Sequence, residues 1–112
     1  SHYSLPKNQP LDNEFGALIS FSEEGHKVQP HTDPNPPGRI HTRFNVLINK
    51  SEGGGEAIID GKVIDTKENE VWVCAAGKYV HSSVLIKGSK PRVLLSYGTY
   101  LKRKQLEEIL NK

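Results

Sequence analysis

Two histidines and one aspartate are the residues of this chain whose types and spacing could hold a metal ion. His31 and Asp33 flank a single threonine, and His81 follows Asp33 after 48 residues. Residues i and i+2 of an extended segment point to the same side, so His31 and Asp33 would face one site together. Neutral imidazole and carboxylate groups suit Fe(II), and three such ligands leave positions open for a co-substrate and O2. The sequence therefore predicts an Fe(II) site formed by His31, Asp33 and His81.

Each of these residues also has an ordinary interpretation. His31 could be a surface histidine before a turn, because Asp33-Pro34 is a sequence that favours turns. His81 could be a buried histidine whose ring is hydrogen-bonded to a backbone carbonyl. The presence of both in one chain of predicted strands favours the metal site.

Arg92 is a candidate for binding a carboxylate near this metal. It follows His81 after 11 residues and begins an apolar strand immediately after Pro91. A guanidinium binds a carboxylate through two parallel hydrogen bonds, so it suits a dicarboxylate co-substrate. Ser96 lies on the same side of the strand but roughly 13 Å further along, so it could contribute only at a distance or through water. The alternative for Arg92 is an exposed arginine at a strand edge.

Short stretches of β-branched residues, separated by glycine and proline, predict the elements that must position these groups. Asp60-Gly61 lies between two such stretches and predicts a tight hairpin, because glycine accepts the positive φ that these turns need. Residues 101–110 have leucine and isoleucine at helical spacing. The pattern predicts an all-β jelly roll with a short C-terminal helix, formed by residues 1–112 as a single domain. The predicted strands are 15–21, 27–31, 43–49, 56–60, 62–64, 70–75, 83–87 and 92–100.

Composition narrows the class of partner. Fifteen basic and 13 acidic residues give a net charge of +2, which argues against nucleic acid or a membrane as a partner. Nothing resembles a signal peptide or a membrane-spanning segment. Cys74 is the one cysteine and lies in an apolar run, so we predict a reduced, buried thiol in a cytoplasmic protein.

With these residues in this order, the chain resembles the Fe(II)- and 2-oxoglutarate-dependent dioxygenases over about residues 28–100. The order is similar to that of prolyl and lysyl hydroxylases. The matching segments are His31-Thr32-Asp33, residues 43–49, Gly54-Gly55-Glu56, His81 and Arg92.

The resemblance implies a double-stranded β-helix, the cupin-like jelly roll of that superfamily. It implies that His31, Asp33 and His81 bind Fe(II), that Arg92 binds the distal carboxylate of 2-oxoglutarate, and that Asn45 also contacts this co-substrate. The implied reaction is hydroxylation of a C–H bond of a peptide, protein side chain or small molecule by O2, with succinate and CO2 as co-products.

The chain departs from the family pattern in three places. Position 47 is leucine where cytoplasmic prolyl hydroxylases have a tyrosine, and few residues precede the motif where the family normally has helices. This implies a minimal enzyme or the core of a longer protein. Nucleic-acid demethylases of the superfamily normally have a second arginine six residues after the first, whereas this chain has Gly98.

Two other classes share the predicted fold. A cupin-like metal-binding protein would normally have a glutamate shortly after the first two ligands, where this chain has the proline-rich segment 34–38. A structural jelly-roll module would keep the scaffold without chemistry.

The primary substrate is not specified by the sequence. We predict that residues near the entrance of the barrel contact it, with solvent exposure as the alternative for His41. These candidates are Arg39, His41 and Arg43.

Overall fold

The computed structural model describes the backbone of residues 2–4 and 14–111 and the side chains of residues 16–111. These residues form two antiparallel sheets and a C-terminal helix. The five-stranded sheet has the order β1-β2-β8-β3-β6, and the three-stranded sheet has the order β5-β4-β7. The elements are β1 His2–Ser4, β2 Glu14–Ser22, β3 Ile40–Asn49, β4 Ala57–Ile59, β5 Lys62–Ile64, β6 Val71–Cys74, β7 His81–Ser83, β8 Arg92–Leu101 and α1 Arg103–Leu110.

Six of the predicted strands and the helix are confirmed, with ends shifted by up to three residues. The largest shift is at β3, which begins at Ile40 instead of residue 43. The hairpin between β4 and β5 turns at Asp60-Gly61 as predicted, and both residues have positive φ. The helix begins at Arg103, since Leu101 still belongs to β8. No helix in the described part of the chain is long and apolar enough to span a bilayer.

The predicted strands at 27–31 and 83–87 are wrong as continuous strands. The two segments do lie side by side, and His31 and His81 exchange both backbone hydrogen bonds at 3.0 and 2.9 Å. Further along, Ser83 N bonds Val28 O and Ile86 N bonds His26 O. From one hydrogen-bonded pair to the next, the step along one segment is two residues and the step along the other is three. The two segments therefore do not form a regular ladder of hydrogen bonds.

The paired strands β3 and β8 form the centre of the larger sheet. Asn45 lies opposite Ser96, and Leu47 lies opposite Leu94. Because side chains alternate along a strand, one set points into the molecule and the next set points outward. The inward set on β3, β6 and β8 is Arg43, Asn45, Leu47, Trp72, Cys74, Arg92, Leu94 and Ser96; the outward set is Phe44, Val46, Ile48, Val71, Val73, Val93, Leu95 and Tyr97.

The buried apolar cluster lies at one end of this sheet, beneath α1. Leu106 of the helix is 2% exposed and packs with Ile40, Ala75 and Leu101. The side chain of Gln105 accepts a hydrogen bond from Lys102 N at 2.9 Å, which satisfies one free N–H at the start of the helix. The helix therefore packs on the outer side of this end of the sheet, the side that also carries Phe44, and leaves the interior between the two sheets to other side chains.

Candidate metal site

The side chains of His31, Asp33 and His81 converge on one point. Their ligand atoms all lie within 4.8 Å of one another. Asp33 Oδ1 is 3.1 Å from His31 Nε2 and 3.5 Å from His81 Nε2. Two ligands that sit about 2.1 Å from an ion at right angles to each other are roughly 3 Å apart, so these spacings suit a shared ion.

The hydrogen bonds behind the two histidines direct their Nε2 atoms toward the aspartate. His31 Nδ1 is 2.8 Å from Gln29 O, and His81 Nδ1 is 3.1 Å from Tyr79 O. A carbonyl only accepts, so each Nδ1 carries the hydrogen and each neutral ring has its lone pair on Nε2. Lone pairs that face a carboxylate oxygen repel it unless a positive charge lies between them. The donor set therefore fits a divalent metal ion.

Backbone contacts hold the three ligands in place. The paired hydrogen bonds between His31 and His81 fix the two histidines side by side, with ring centroids 4.2 Å apart. Asp33 N donates to Ala76 O at 2.8 Å, which ties the aspartate to the end of β6. The side chain of His31 is 47% exposed, whereas those of Asp33 and His81 are 18% and 17% exposed. The site is thus open to solvent on the His31 side.

His41 contacts the other oxygen of the same aspartate. Its Nδ1 is 3.1 Å from Asp33 Oδ2, and its Nε2 is 3.3 Å from Arg43 Nη1. His41 belongs to β3 and is only 8% exposed, which corrects the alternative of a solvent-exposed loop residue, while its predicted contact with substrate stays a prediction. Burial lowers the pKa of His41, as do Arg43 and His81, while Asp33 acts to raise it.

A cavity of about 610 Å³ adjoins the ligand group and extends between the two sheets. A volume of this size accommodates a small-molecule ligand. Its walls combine the three metal-ligand candidates with apolar side chains and two arginines. The lining includes His31, Asp33, His81, Arg43, Asn45, Trp72, Cys74, Ile86, Arg92, Leu94 and Ser96.

Arg92 lines this cavity and is 7% exposed. Within the described residues, no hydrogen bond or ion pair engages its guanidinium. Burial lowers the pKa of Arg92, and the carboxylates of Glu56 and Asp65 act from further away to raise it. A guanidinium has the chemistry to bind an anion through charge-assisted hydrogen bonds, and the predicted role of Arg92 as a carboxylate-binding residue stays a prediction.

Gly55 makes room for the arginine. A Cβ atom at this position would lie 2.7 Å from Arg92 Cδ, and the backbone of Gly55 has a φ of +87°. Both the space and the conformation therefore require glycine. The need for glycine at position 55 gives a physical reason for the segment Gly54-Gly55-Glu56, one of those in which the chain resembles the dioxygenases.

The remaining predicted binding residues fall into two groups. Asn45 and Ser96 are buried and line the cavity, as does Arg43, whose Nε donates to Ser96 Oγ at 2.6 Å. Arg39 instead lies in a separate surface groove with Lys78 and Arg103, and its Nη1 donates to Tyr100 O at 3.4 Å. Arg39 is therefore not among the residues that line the cavity, and its predicted contact with a substrate stays a prediction.

Comparisons with known proteins identify the fold. No protein-family model matches the chain, and no curated protein matches it. A solved RmlC-like cupin protein from Desulfovibrio desulfuricans has a TM-score of 0.58 at 17% identity, over 87% of this chain and 79% of that one. The cupin domain of Schizosaccharomyces pombe Cnp3 has a TM-score of 0.60 at 14% identity, over 98% and 69%. A nickel complex of the non-heme monooxygenase ThoJ has a TM-score of 0.61 at 12% identity, over 80% and 44%.

The protein has the double-stranded β-helix, or cupin, fold. The predicted all-β jelly roll with a short C-terminal helix is therefore confirmed. At these identities the likeness concerns the fold alone. Membership of the 2-oxoglutarate-dependent dioxygenases is not shown by it and stays a prediction.

Proposed function

We propose that this protein is a metal-binding cupin-fold protein that holds a divalent ion at His31, Asp33 and His81 and a small carboxylate in the adjoining cavity. The observation that carries the proposal is the convergence of the Nε2 atoms of His31 and His81 on Asp33 Oδ1, with both Nδ1 atoms at hydrogen-bond distance from backbone carbonyls. Such outer hydrogen bonds orient metal-ligating histidines and fix their tautomers.

The bound ion would supply a positive centre that binds and polarises an anionic oxygen of the ligand. The chain's own residues contribute the rest. Arg92 would bind a carboxylate, while Trp72, Ile86 and Leu94 provide apolar walls that displace water from it. In such surroundings a charged hydrogen bond is stronger than it is in water.

Calorimetric titration with Co(II), a spectroscopic substitute for Fe(II), tests the metal site. We expect one ion per chain in the wild type and at least a roughly 100-fold weaker affinity in Asp33→Ala, since loss of outer partners alone weakens metal sites about 10- to 100-fold. His26→Ala is the control, because His26 is an exposed histidine of the same cavity that lies outside the ligand group. A wild-type protein that binds no Co(II), or an Asp33→Ala variant that binds it normally, would contradict the proposal.

A more specific candidate is Fe(II)- and 2-oxoglutarate-dependent hydroxylation of a peptide, protein side chain or small molecule. The buried Arg92 guanidinium in the same cavity favours it, because a dicarboxylate could bind the ion at one end and the arginine at the other. Asn45 and Ser96 are further proposed contacts of this co-substrate, and Arg43 is a proposed contact of the primary substrate.

The conversion of 2-oxoglutarate to succinate with Fe(II) and O2 tests this candidate. We expect Arg92→Ala to raise the KM for 2-oxoglutarate roughly 10- to 100-fold, the effect of losing a charged hydrogen bond of about 1.5–3 kcal/mol. Co(II) affinity should be unchanged in the same variant. Wild-type protein that binds metal but forms no succinate would reject the oxygenase and leave the metal-binding proposal standing.

A further inference from the structure

His41 links a cavity arginine to the metal-ligand candidate Asp33 in one hydrogen-bonded chain. Arg43 Nη1 lies 3.3 Å from His41 Nε2, and His41 Nδ1 lies 3.1 Å from Asp33 Oδ2. A guanidinium only donates, so His41 Nε2 must accept. The hydrogen of the neutral ring is then on Nδ1, which donates to Asp33. The direction of both hydrogen bonds follows from the arginine.

The rest of the chain fixes this arrangement. His41 N donates to Asn35 Oδ1, and His41 O accepts from Gly77 N, each at 2.9 Å. Arg43 Nε donates to Ser96 Oγ on the neighbouring strand β8. Because β3 begins at Ile40, His41 and Arg43 are two residues apart in one strand and share its inner side. Their contact is therefore built into the sheet.

We propose that His41 and Arg43 are positioning residues that restrict Asp33 to a single metal-binding oxygen. This inference rests on the proposed metal site. With Oδ2 held by His41, only Oδ1 faces His31 and His81. An ion with octahedral coordination would then keep three of its six positions for other ligands, whereas a bidentate aspartate would leave two. Three positions suffice for a chelating ligand and one further molecule.

The experiment measures Co(II) affinity and the visible absorption spectrum of bound Co(II), which reports coordination number. We expect His41→Ala to bind Co(II) about 10- to 100-fold more weakly, as is typical when an outer partner of a ligand is removed. Its spectrum should also change, because Oδ2 is released. His41→Asn places an amide donor near the position of Nδ1 and should stay within about threefold of the wild type with an unchanged spectrum.

Thr42→Val is the matched control for damage to β3. Thr42 is the next residue, fully buried, and faces the opposite side of the sheet. We expect wild-type Co(II) affinity and spectrum from this variant. Equal losses in Thr42→Val and His41→Ala would overturn the proposal, because the effect would then be one of strand packing.

Arg43→Met provides a second test if His41→Ala does not fold. This substitution removes the donor that fixes the His41 tautomer, so we expect weaker Co(II) binding. An asparagine at position 41 would have no ring tautomer to fix, so adding Arg43→Met to His41→Asn should not lower the Co(II) affinity below that of His41→Asn alone. Wild-type affinity and spectrum in both His41→Ala and Arg43→Met would overturn the inference and leave the metal site intact. A wild-type protein without Co(II) affinity would overturn the metal site as well.

Discussion

The inner side of β3 and β8 carries Arg43, Arg92 and Ser96, whereas the outer side of the same two strands carries Phe44, Leu95 and Tyr97. In most sheets with one face in solvent, the apolar side chains face inward. Here the charged groups face inward and line a cavity, while Tyr97 on the outside is 38% exposed. This contrast supports the proposal that the interior of the barrel binds a ligand, and a separate apolar core lies on the other side of the sheet.

That core is the cluster beneath α1. Ile40, Ala75, Leu101 and Leu106 are each at most 9% exposed and lie at one end of the sheet. The cavity can therefore contain charged and polar groups without removing this packing. Variants that exchange or remove side chains on the two sides of the sheet test this separation, and the following four are ordered by expected effect on the free energy of unfolding.

The largest effect is expected at Leu47, which is 0% exposed, in comparison with its neighbour Ile48, which is 47% exposed. Leu47→Ala should lower the free energy of unfolding by about 3 kcal/mol, since it leaves a cavity in packed surroundings. Ile48→Ala should lower it by less than about 1 kcal/mol. Urea denaturation measures both, and equal losses would show that the two sides of β3 do not differ in packing.

Cys74 is expected to make stability depend on pH. Burial raises the pKa of this inward-facing thiol to about 11, and Asp33 adds to the increase. A pKa that is raised in the folded state contributes stability that is complete below the unfolded-state pKa and is lost as pH rises toward the folded-state value. The wild type should therefore lose about 2–3 kcal/mol between pH 9 and 11 through this group. Cys74→Ala should lose less stability over the same pH range, as measured by urea denaturation. Parallel pH profiles of the two proteins would show that the Cys74 thiol does not cause the loss.

Arg92 should reduce stability when no anion is bound. Because burial lowers the pKa of Arg92, its charged form is disfavoured by folding. Arg92→Met should then raise the free energy of unfolding by on the order of 1 kcal/mol in the absence of carboxylates. Arg92→Lys keeps the charge and should show no such gain. A lower free energy of unfolding in Arg92→Met would contradict this expectation, because it would mean that the guanidinium stabilises the fold in the absence of a ligand.

The smallest effect is expected at Val71, which faces outward and is 62% exposed. Val71→Thr keeps the β-branched shape, so its free energy of unfolding should lie within about 0.5 kcal/mol of the wild type. Its Co(II) affinity should be unchanged. A larger change in either quantity would show that the outer side of β6 influences the cavity.

The shared orientation of His31 and Asp33 follows from the two-residue period of an extended chain and could be predicted without coordinates. The approach of His81 could not, because it depends on a backbone pairing between segments about 50 residues apart. That pairing is irregular, so the strand patterns at 27–31 and 83–87 did not predict it. His81 was predicted as a ligand because the order of the candidate residues along the chain resembles that of the dioxygenases.

The position of His41 was missed because β3 was predicted to begin at residue 43. Extending the strand back to Ile40 places His41 on the same side as Arg43 and Asn45. The two-residue alternation was thus present in the sequence, but Gly38 and the prolines before it suggested a loop. The exclusion of Arg39 from the cavity depends on the course of that loop, which the sequence pattern does not determine.

Anomalous diffraction from a crystal soaked in Co(II) shows whether the three side chains bind one ion together. We predict one strong peak between the two sheets, about 2.0–2.2 Å from His31 Nε2, Asp33 Oδ1 and His81 Nε2. No peak at that point, or a peak coordinated by other residues, would contradict it.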